Sequence, residues 1–223
     1  MLALVFAAAA AVLDWVGVAR KLSSFEYVGK PAVLMMLIIW LVSRVPSPMP
    51  FPALLFLIGL FASLLGDILL MVPGNRFLGG LAAFLIANLT YIAAFNGNGL
   101  PPVIWGLPLA AAVTVLIVIL LDRLRRGLQA SGRGWIFPFV AFYGVALGGM
   151  VWSAVATPFR PAWPSPAGWV LALGGLLFFV SDLTNVWNRF LRPVRGGRLT
   201  THILYHLGQI ALTSGMLLML HAI

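Results

Sequence analysis

Two aspartates lie inside long apolar segments of a chain that has only five acidic residues. Asp67 occurs in FASLLGDILLMV and Asp182 in GGLLFFVSDLTNVW. An ionisable group within a membrane span is costly unless it faces the protein interior or a water-filled cavity. Each aspartate is therefore a candidate functional residue. The alternative is a structural role, in which each one hydrogen-bonds neighbouring helices.

A pair of carboxylates in a low-dielectric pocket is suited to acid–base chemistry. Both cannot ionise cheaply, so one keeps a proton and can act as an acid while the other acts as a base. Such a pair could add water across a polarised bond in a lipid, and it could equally carry protons through a transporter. We therefore predict Asp67 and Asp182 as a catalytic pair and keep the transporter as an alternative.

The last apolar segment carries a stripe of polar side chains. His202, His206, Gln209 and Thr213 recur at spacings that place them on one helical face, with Tyr205 beside them. In lipid, a polar stripe must face the interior of the helix bundle. We expect a polar pocket walled by the third, fourth, seventh and eighth apolar segments. Its further candidate residues share a polar side chain within an apolar segment: Asn88, Tyr91 and Asn185.

Other kinds of chemistry find less support in the sequence. His202 and His206 are four residues apart and could form half of a metal site, but the HExxH motif is absent. Neither a GxSxG motif nor a phosphate-binding glycine loop occurs. The chain has no cysteine, which removes thiolate catalysis and disulfides. We predict no metal and no cofactor.

The elements that must position these residues are membrane-spanning helices. Of the residues, 62% are apolar and 9% charged, and the mean hydropathy is +1.05. A helix needs about 20 largely apolar residues to cross the hydrocarbon layer. About eight such segments occur, at 2–19, 31–45, 52–72, 77–95, 103–121, 135–156, 167–187 and 199–221. We predict an all-α polytopic integral membrane protein with about eight transmembrane helices in one bundle, residues 1–223 forming a single transmembrane domain.

The basic residues predict how the chain is oriented. Twelve of the fourteen lysines and arginines fall in the loops that follow the odd-numbered segments, leaving Arg44 and Arg160 on the other side. This bias places the odd loops in the cytoplasm and both termini outside, in what we expect to be a bacterial inner membrane. Asp67 and Asp182 then lie roughly 8 Å inside the cytoplasmic boundary. Asp14 is nearer the interface and could snorkel to it. Because the charge of +9 is explained by topology, we expect no nucleic-acid binding.

Several segments together resemble the YhhN-like lysoplasmalogenase family. They are SLLGDILLM, FLGGLAAFLIANLTYIAAF, GGLLFFVSDL and YHLGQIAL, with Lys30-Pro31 at the entry to the second apolar segment. The resemblance implies an eight-helix enzyme that hydrolyses the vinyl-ether bond of lysoplasmalogens to a fatty aldehyde and a glycerophospho-base. The polar residues that it carries over are Lys30, Asp67, Tyr91, Asp182, Tyr205 and Gln209.

Two positions depart from the family pattern. The family usually has histidine where this chain has Asn88, and an aromatic residue where it has His206. Asparagine cannot shuttle a proton, but His206 could take over that role from the facing helix. In the implied reaction we favour Asp182 as acid and Asp67 as base, with the reverse assignment open. Lys30 would meet the lipid phosphate or simply snorkel.

The alternative functions are a small proton-coupled membrane transporter, a lipid-binding membrane protein and a non-catalytic scaffold. Each would use the same aspartates without hydrolysis. For the preferred hydrolase, the expected partners are a lysophospholipid or ether-lipid substrate and the surrounding membrane lipids.

Overall fold

The computed structural model describes residues 2–74, 76–97 and 103–221, and every regular element within them is helical. Eight α-helices follow in chain order: α1 Leu2–Arg20, α2 Ser23–Arg44, α3 Phe51–Met71, α4 Phe77–Asn96, α5 Val103–Ala130, α6 Phe137–Val155, α7 Ala167–Phe190 and α8 Gly197–His221. Short 3-10 turns, Gly134–Ile136 and Thr157–Phe159, flank α6. The predicted all-α fold is confirmed.

The described part of the chain contains seven helices that are long and apolar enough to cross a membrane. They are α1 to α4, α6 together with the turn before it, α7 and α8. The remaining predicted span, 103–121, lies in α5, which continues beyond it to Ala130. The chain is an integral helical membrane protein.

Helix α2 starts well before the apolar segment that predicted it. The expected segment began at residue 31, with residues 27–30 as an optional extension, but the helix begins at Ser23 and contains Pro31 in its interior. Proline lacks an N–H, so it omits one helical hydrogen bond without ending this helix. The first turns carry Glu26 and Lys30, and an apolar-run criterion does not recognise such polar turns as helix. This early start brings Lys30 into the bundle.

Seven helices form a ring in the order α1, α2, α3, α4, α6, α7, α8, which closes where α8 contacts α1. Helix α8 also contacts α2, and α5 packs against α6 beside this ring. The order of helices in the ring differs from their order in the chain, because the helix that packs beside α4 is α6 and not α5. This arrangement allows α6 to contribute to the interior surface.

Helices α7 and α8 make the most intimate contact in the bundle. A Cβ atom added to Gly174 would lie 2.6 Å from the backbone nitrogen of Leu212, and one added to Gly208 would lie 2.9 Å from that of Phe178. Only glycine permits the two backbones to approach this closely. The close packing fixes the α7 aspartate relative to the polar stripe of α8.

Candidate active site

Asp67 is fully buried and is held by residues from two other helices. The ammonium nitrogen of Lys30, on α2, lies 3.0 Å from its Oδ1. The hydroxyl of Tyr205, on α8, donates a 2.8 Å hydrogen bond to its Oδ2. An ammonium at this distance stabilises the carboxylate form of an aspartate. The predicted residues Lys30, Asp67 and Tyr205 therefore form one connected group.

Asp182 has a different set of neighbours. It is buried on α7, and its Oδ2 accepts a hydrogen bond from the hydroxyl of Tyr143 on α6. Within residues 2–74, 76–97 and 103–221, no lysine or arginine forms an ion pair with Asp182. One aspartate is thus paired with a cation and a tyrosine, and the other with a tyrosine. This difference is what a pair with separate acid and base roles requires.

Both aspartates line one inner pocket of about 50 Å³. Tyr143 and Tyr205 line it as well, and Phe84 and Leu81 supply apolar wall. The volume has room for a few water molecules, since one needs about 10–15 Å³. The walls come from α2, α3, α4, α6, α7 and α8. Four of these helices were predicted, and α2 and α6 are additions to that prediction.

A vestibule of about 440 Å³ lies in front of the inner pocket, at the end of the bundle where the cation-rich loops lie. It is lined by Glu26, which forms an ion pair with Arg198, and by Arg189, whose guanidinium carbon is 4.4 Å from the ring centroid of Phe77. The residues that line both spaces are Lys30, Leu70, Phe77, Asn185, Arg189, Thr201 and His202. The vestibule is therefore a polar entrance to the aspartates.

Four predicted residues line neither the pocket nor the vestibule: Asn88, Tyr91, His206 and Gln209. The Tyr91 hydroxyl donates a 3.0 Å hydrogen bond to Gln209 Oε1, and the Gln209 amide donates to Ser63 Oγ at 3.2 Å. Asn88 is fully buried, and its amide lies near the Tyr143 hydroxyl without a partner at full hydrogen-bond geometry among the described residues. Tyr91 and Gln209 form a second layer that packs behind Asp67 and Tyr205.

A further polar cluster lies between α1 and α8 and adjoins the pocket through His202. Asp14 is fully buried, and its Oδ2 is 2.8 Å from Nδ1 of His202. The indole of Trp15 donates a 3.1 Å hydrogen bond to Nδ1 of His206. The expectation that Asp14 snorkels to the interface is wrong, because α8 supplies a partner inside the bundle. The same contacts place His206 beside α1, and neither His206 nor Asn88 lines the pocket, so the arrangement gives no support to His206 as a proton shuttle in place of Asn88.

Sequence reasoning did not identify Tyr143 or the vestibule arginines as site residues. Tyr143 is one of only four tyrosines, and it interrupts an otherwise apolar segment, FPFVAFYGVAL. That was an available signal, because a buried tyrosine hydroxyl usually finds a partner. Arg189 and Arg198 were interpreted only as topology charges. Among the described residues, no group of three or more side chains is arranged to hold a metal.

Buried aromatic side chains fill the bundle on the far side of the pocket. Phe84, Phe178 and Tyr205 contact one another with ring centroids 5.7–6.5 Å apart. Further from the vestibule, a second group continues to the opposite end of the bundle: Phe56, Tyr91, Phe95 and Trp163. We call these seven residues the aromatic column. They occupy the space through which a second entrance would have to run.

These features define a polytopic membrane protein with a polar cavity that opens at the cation-rich end of the bundle and contains two aspartates. The chain belongs to the YhhN family, whose model matches residues 25–216.

The chain is similar to two groups of relatives. It is 29% identical over 200 residues to the uncharacterized membrane protein YhhN of Escherichia coli O157:H7, covering 86% of this chain and 88% of that protein. It is 33% identical over 159 residues to lysoplasmalogenase TMEM86B of Sus scrofa and 31% identical over 154 residues to that of Homo sapiens. The last two matches cover 69% of this chain and 59% of each relative's length. No solved structure shows a significant match.

Proposed function

We propose that this protein is a membrane-embedded lysoplasmalogenase that hydrolyses the vinyl-ether bond of lysoplasmalogens with Asp67 and Asp182. The observation that carries the proposal is that both aspartates line one pocket the size of a few waters, behind a polar vestibule. The similarity to relatives named lysoplasmalogenase supports the choice of substrate class. The reaction needs no group beyond two carboxyls and water.

The neighbours of the aspartates support an assignment of roles. Asp182 carries the proton, because it has no cation of its own in the described structure. The Tyr143 hydroxyl bonds to one of its carboxyl oxygens, so the other oxygen is left to hold the proton. Asp67, paired with Lys30 and Tyr205, is the carboxylate. In the first step Asp182 protonates the β-carbon of the vinyl ether, and an oxocarbenium ion forms at the α-carbon. General acid catalysis of this kind contributes roughly 10²–10⁴-fold to a rate.

Hydration and bond cleavage complete the cycle. Water attacks the α-carbon while Asp67 takes one of its protons, which gives a hemiacetal. Asp182, now a carboxylate, removes the proton of the hemiacetal hydroxyl. Asp67 returns its proton to the glycerol oxygen as the carbon–oxygen bond breaks. The products are an aldehyde and a glycerophospho-base, and both aspartates regain their starting protonation.

The vestibule suits the headgroup of such a lipid. Arg189 lies at the boundary between vestibule and pocket, and Arg198 lies further out, paired with Glu26. A guanidinium is well matched to a phosphate, which it can bind through two hydrogen bonds. Lys30 is engaged with Asp67, so we assign phosphate binding to the arginines and give Lys30 the task of holding Asp67. The cation bias supports an entrance in the cytoplasmic half, with both termini outside.

The test replaces each aspartate with asparagine, separately and together, in protein purified in detergent and supplied with lysoplasmalogen. Asparagine keeps the size of the side chain but removes titration, so Asp67→Asn and Asp182→Asn should each lower the rate by at least roughly 10²-fold. The double variant should be little worse than either single one, because residues that act as a unit are not additive. Release of the fatty aldehyde is the assay.

Asp14→Asn is the matched control, since Asp14 is an equally buried intramembrane aspartate that lies outside the pocket. It should lower the melting temperature because an amide is a weaker partner for His202 than a carboxyl group, while most of the turnover is kept. If Asp67→Asn and Asp182→Asn remain folded and turn over at near wild-type rates, the paired-acid proposal is wrong. Saturable lipid uptake into proteoliposomes without aldehyde would instead identify a carrier.

A further inference from the structure

A lateral apolar groove runs along the seam between α4 and α6. It has a volume of about 560 Å³, and α4 lines it with Leu78, Gly79, Leu81, Ala82 and Leu85. Helix α6 supplies Pro138, Phe139, Phe142 and Tyr143. The α4 residues from Leu78 to Leu85 span roughly 10 Å along the helix, starting from the end at which the vestibule lies.

The groove adjoins the pocket that holds the aspartates. Leu81 and Tyr143 line both spaces. The hydroxyl of Tyr143 is bonded to Asp182, while its ring forms part of the groove wall. Only the side chain of Tyr143 therefore separates a molecule in the groove from Asp182, the proposed acid. Vestibule, pocket and groove follow one another as polar, carboxyl-bearing and apolar compartments.

We propose that this α4–α6 groove binds the alkenyl chain of the lysolipid substrate while its first carbons lie at the aspartates. The inference rests on the proposed function and adds to it the place of the hydrocarbon chain. A lysoplasmalogen presents a charged headgroup, a scissile vinyl ether and one long apolar chain in that order. The three compartments present complementary surfaces in the same order, and the groove faces lipid, so the chain enters sideways without leaving an apolar environment.

A second apolar space also reaches Asp182, and it is a weaker candidate. It lies between α5, α6 and α7, is lined by Ile117, Leu121 and Leu183 among others, and has a volume of only about 20 Å³. A long chain could not enter it without moving packed side chains, which costs about 1–3 kcal/mol or more in a well-packed core. The α4–α6 groove is already open. The two candidate spaces therefore predict different effects of filling the groove.

The test fills the groove and measures chain-length preference. Ala82 lies on the exposed face of α4 within the groove, and Ala93 lies on the exposed face of the same helix outside it. Ala82→Trp should lower kcat/KM for a hexadecenyl substrate by about tenfold or more while an octenyl substrate loses little. Ala93→Trp should leave the wild-type preference intact. An unchanged preference in Ala82→Trp would overturn the proposal.

Gly79→Leu is a second variant that fills the groove from another position. A Cβ atom at Gly79 would have its nearest neighbour, Leu69 Cδ1, at an ordinary 3.5 Å, so the added side chain meets no backbone. It should shift the preference in the same direction as Ala82→Trp. If either variant unfolds, the other still decides the question.

A photolabelling experiment separates this inference from the proposed activity. A non-hydrolysable alkyl lysolipid with a diazirine at the end of its chain should label peptides from 78–85 and 138–143, and Ala82→Trp should remove that label. This readout needs no turnover, so it holds even if hydrolysis of the vinyl ether fails. Labelling confined to α5 and α7 would identify the smaller space as the binding site, and labelling spread over all lipid-facing helices would show only ordinary membrane lipid contact. Both outcomes would refute the groove assignment.

Discussion

Removal of the ammonium beside Asp67 should show how much the buried ion pair contributes to the stability of the folded protein. The Nζ of Lys30 lies 3.0 Å from Oδ1 of Asp67, and the two side chains are 13% and 0% exposed. Lys30→Met keeps the length and apolar stem of the side chain but deletes the charge. The carboxylate is then left with the hydrogen bond from Tyr205 and without its cation.

The expected cost follows from the burial of both partners. Deleting one member of a buried pair typically costs about 3–5 kcal/mol, because it leaves an uncompensated charge in a poorly polarisable environment. For a chain of this size, each kcal/mol corresponds to about 2–4 °C in melting temperature, so Lys30→Met should melt roughly 10 °C lower than wild type. Adding Asp67→Asn to Lys30→Met removes the orphaned charge and should recover most of that loss, since neutral replacements of buried pairs are often close to neutral in stability.

Arg126 and Asp122 provide the control, because they form an ion pair whose side chains are 71% and 58% exposed. Exposed pairs one helical turn apart are worth about 0.3–0.5 kcal/mol, so Arg126→Met should change the melting temperature by about 2 °C or less. The assay is thermal unfolding in detergent, followed by the intrinsic tryptophan fluorescence, with aldehyde release measured on the same samples. Turnover should fall in Lys30→Met and stay low in the double variant.

The refuting result is a specific pattern across these variants. If Lys30→Met melts like wild type, or if the double variant melts lower than Lys30→Met, the ion pair does not stabilise the bundle and Asp67 is not held by Lys30. If Lys30→Met keeps wild-type turnover, the ammonium does not hold the proposed base in its working form.

Two further predictions test the frame around the site. The chain is free of cysteine, so Arg126→Cys and Ser165→Cys each carry one thiol. A membrane-impermeant thiol reagent added to intact cells should label Ser165→Cys and not Arg126→Cys. The reverse labelling pattern would invert the proposed topology. Gly208→Ala should lower the free energy of unfolding by about 1–3 kcal/mol, because the added Cβ would lie 2.9 Å from the Phe178 nitrogen. Gly144→Ala is the control, since its Cβ would have its nearest neighbour at 3.6 Å. Equal melting temperatures of the two variants would contradict the tight α7–α8 contact.

The sequence alone predicted the aspartate pair, because an ionisable residue within a membrane span is costly unless it faces the protein interior. A carboxyl within an apolar segment has few acceptable environments, so Asp67 and Asp182 had to face inward. The same reasoning placed Tyr205 with them, since a polar face on α8 must also point into the bundle. The structure brings all three to one pocket. Helix number and class followed from segment length in the same way.

The partner of Asp182 could not be predicted, because it depends on which helices are neighbours. The expected pocket used α3, α4, α7 and α8, whereas Tyr143 reaches Asp182 from α6. That contact exists because α6 takes the place in the ring that chain order would give to α5. Lys30 belongs to the predicted polar set, but the start of α2 at Ser23 was not predicted, because the first turns of this helix are polar rather than apolar.

The closed far side of the pocket bears on the choice between hydrolase and carrier. A carrier must expose its site alternately to both sides of the membrane, commonly by rocking one group of helices against another. Beyond the aspartates, the aromatic column occupies that route, and its members are buried and contact one another within each of its two groups. Opening a path would break several aromatic contacts, each worth about 0.5–1.5 kcal/mol beyond the area that it buries. A hydrolase needs only one entrance for the headgroup and water and one lateral opening for the chain. The vestibule and the α4–α6 groove supply these two openings, so the cavity as built favours hydrolysis over transport.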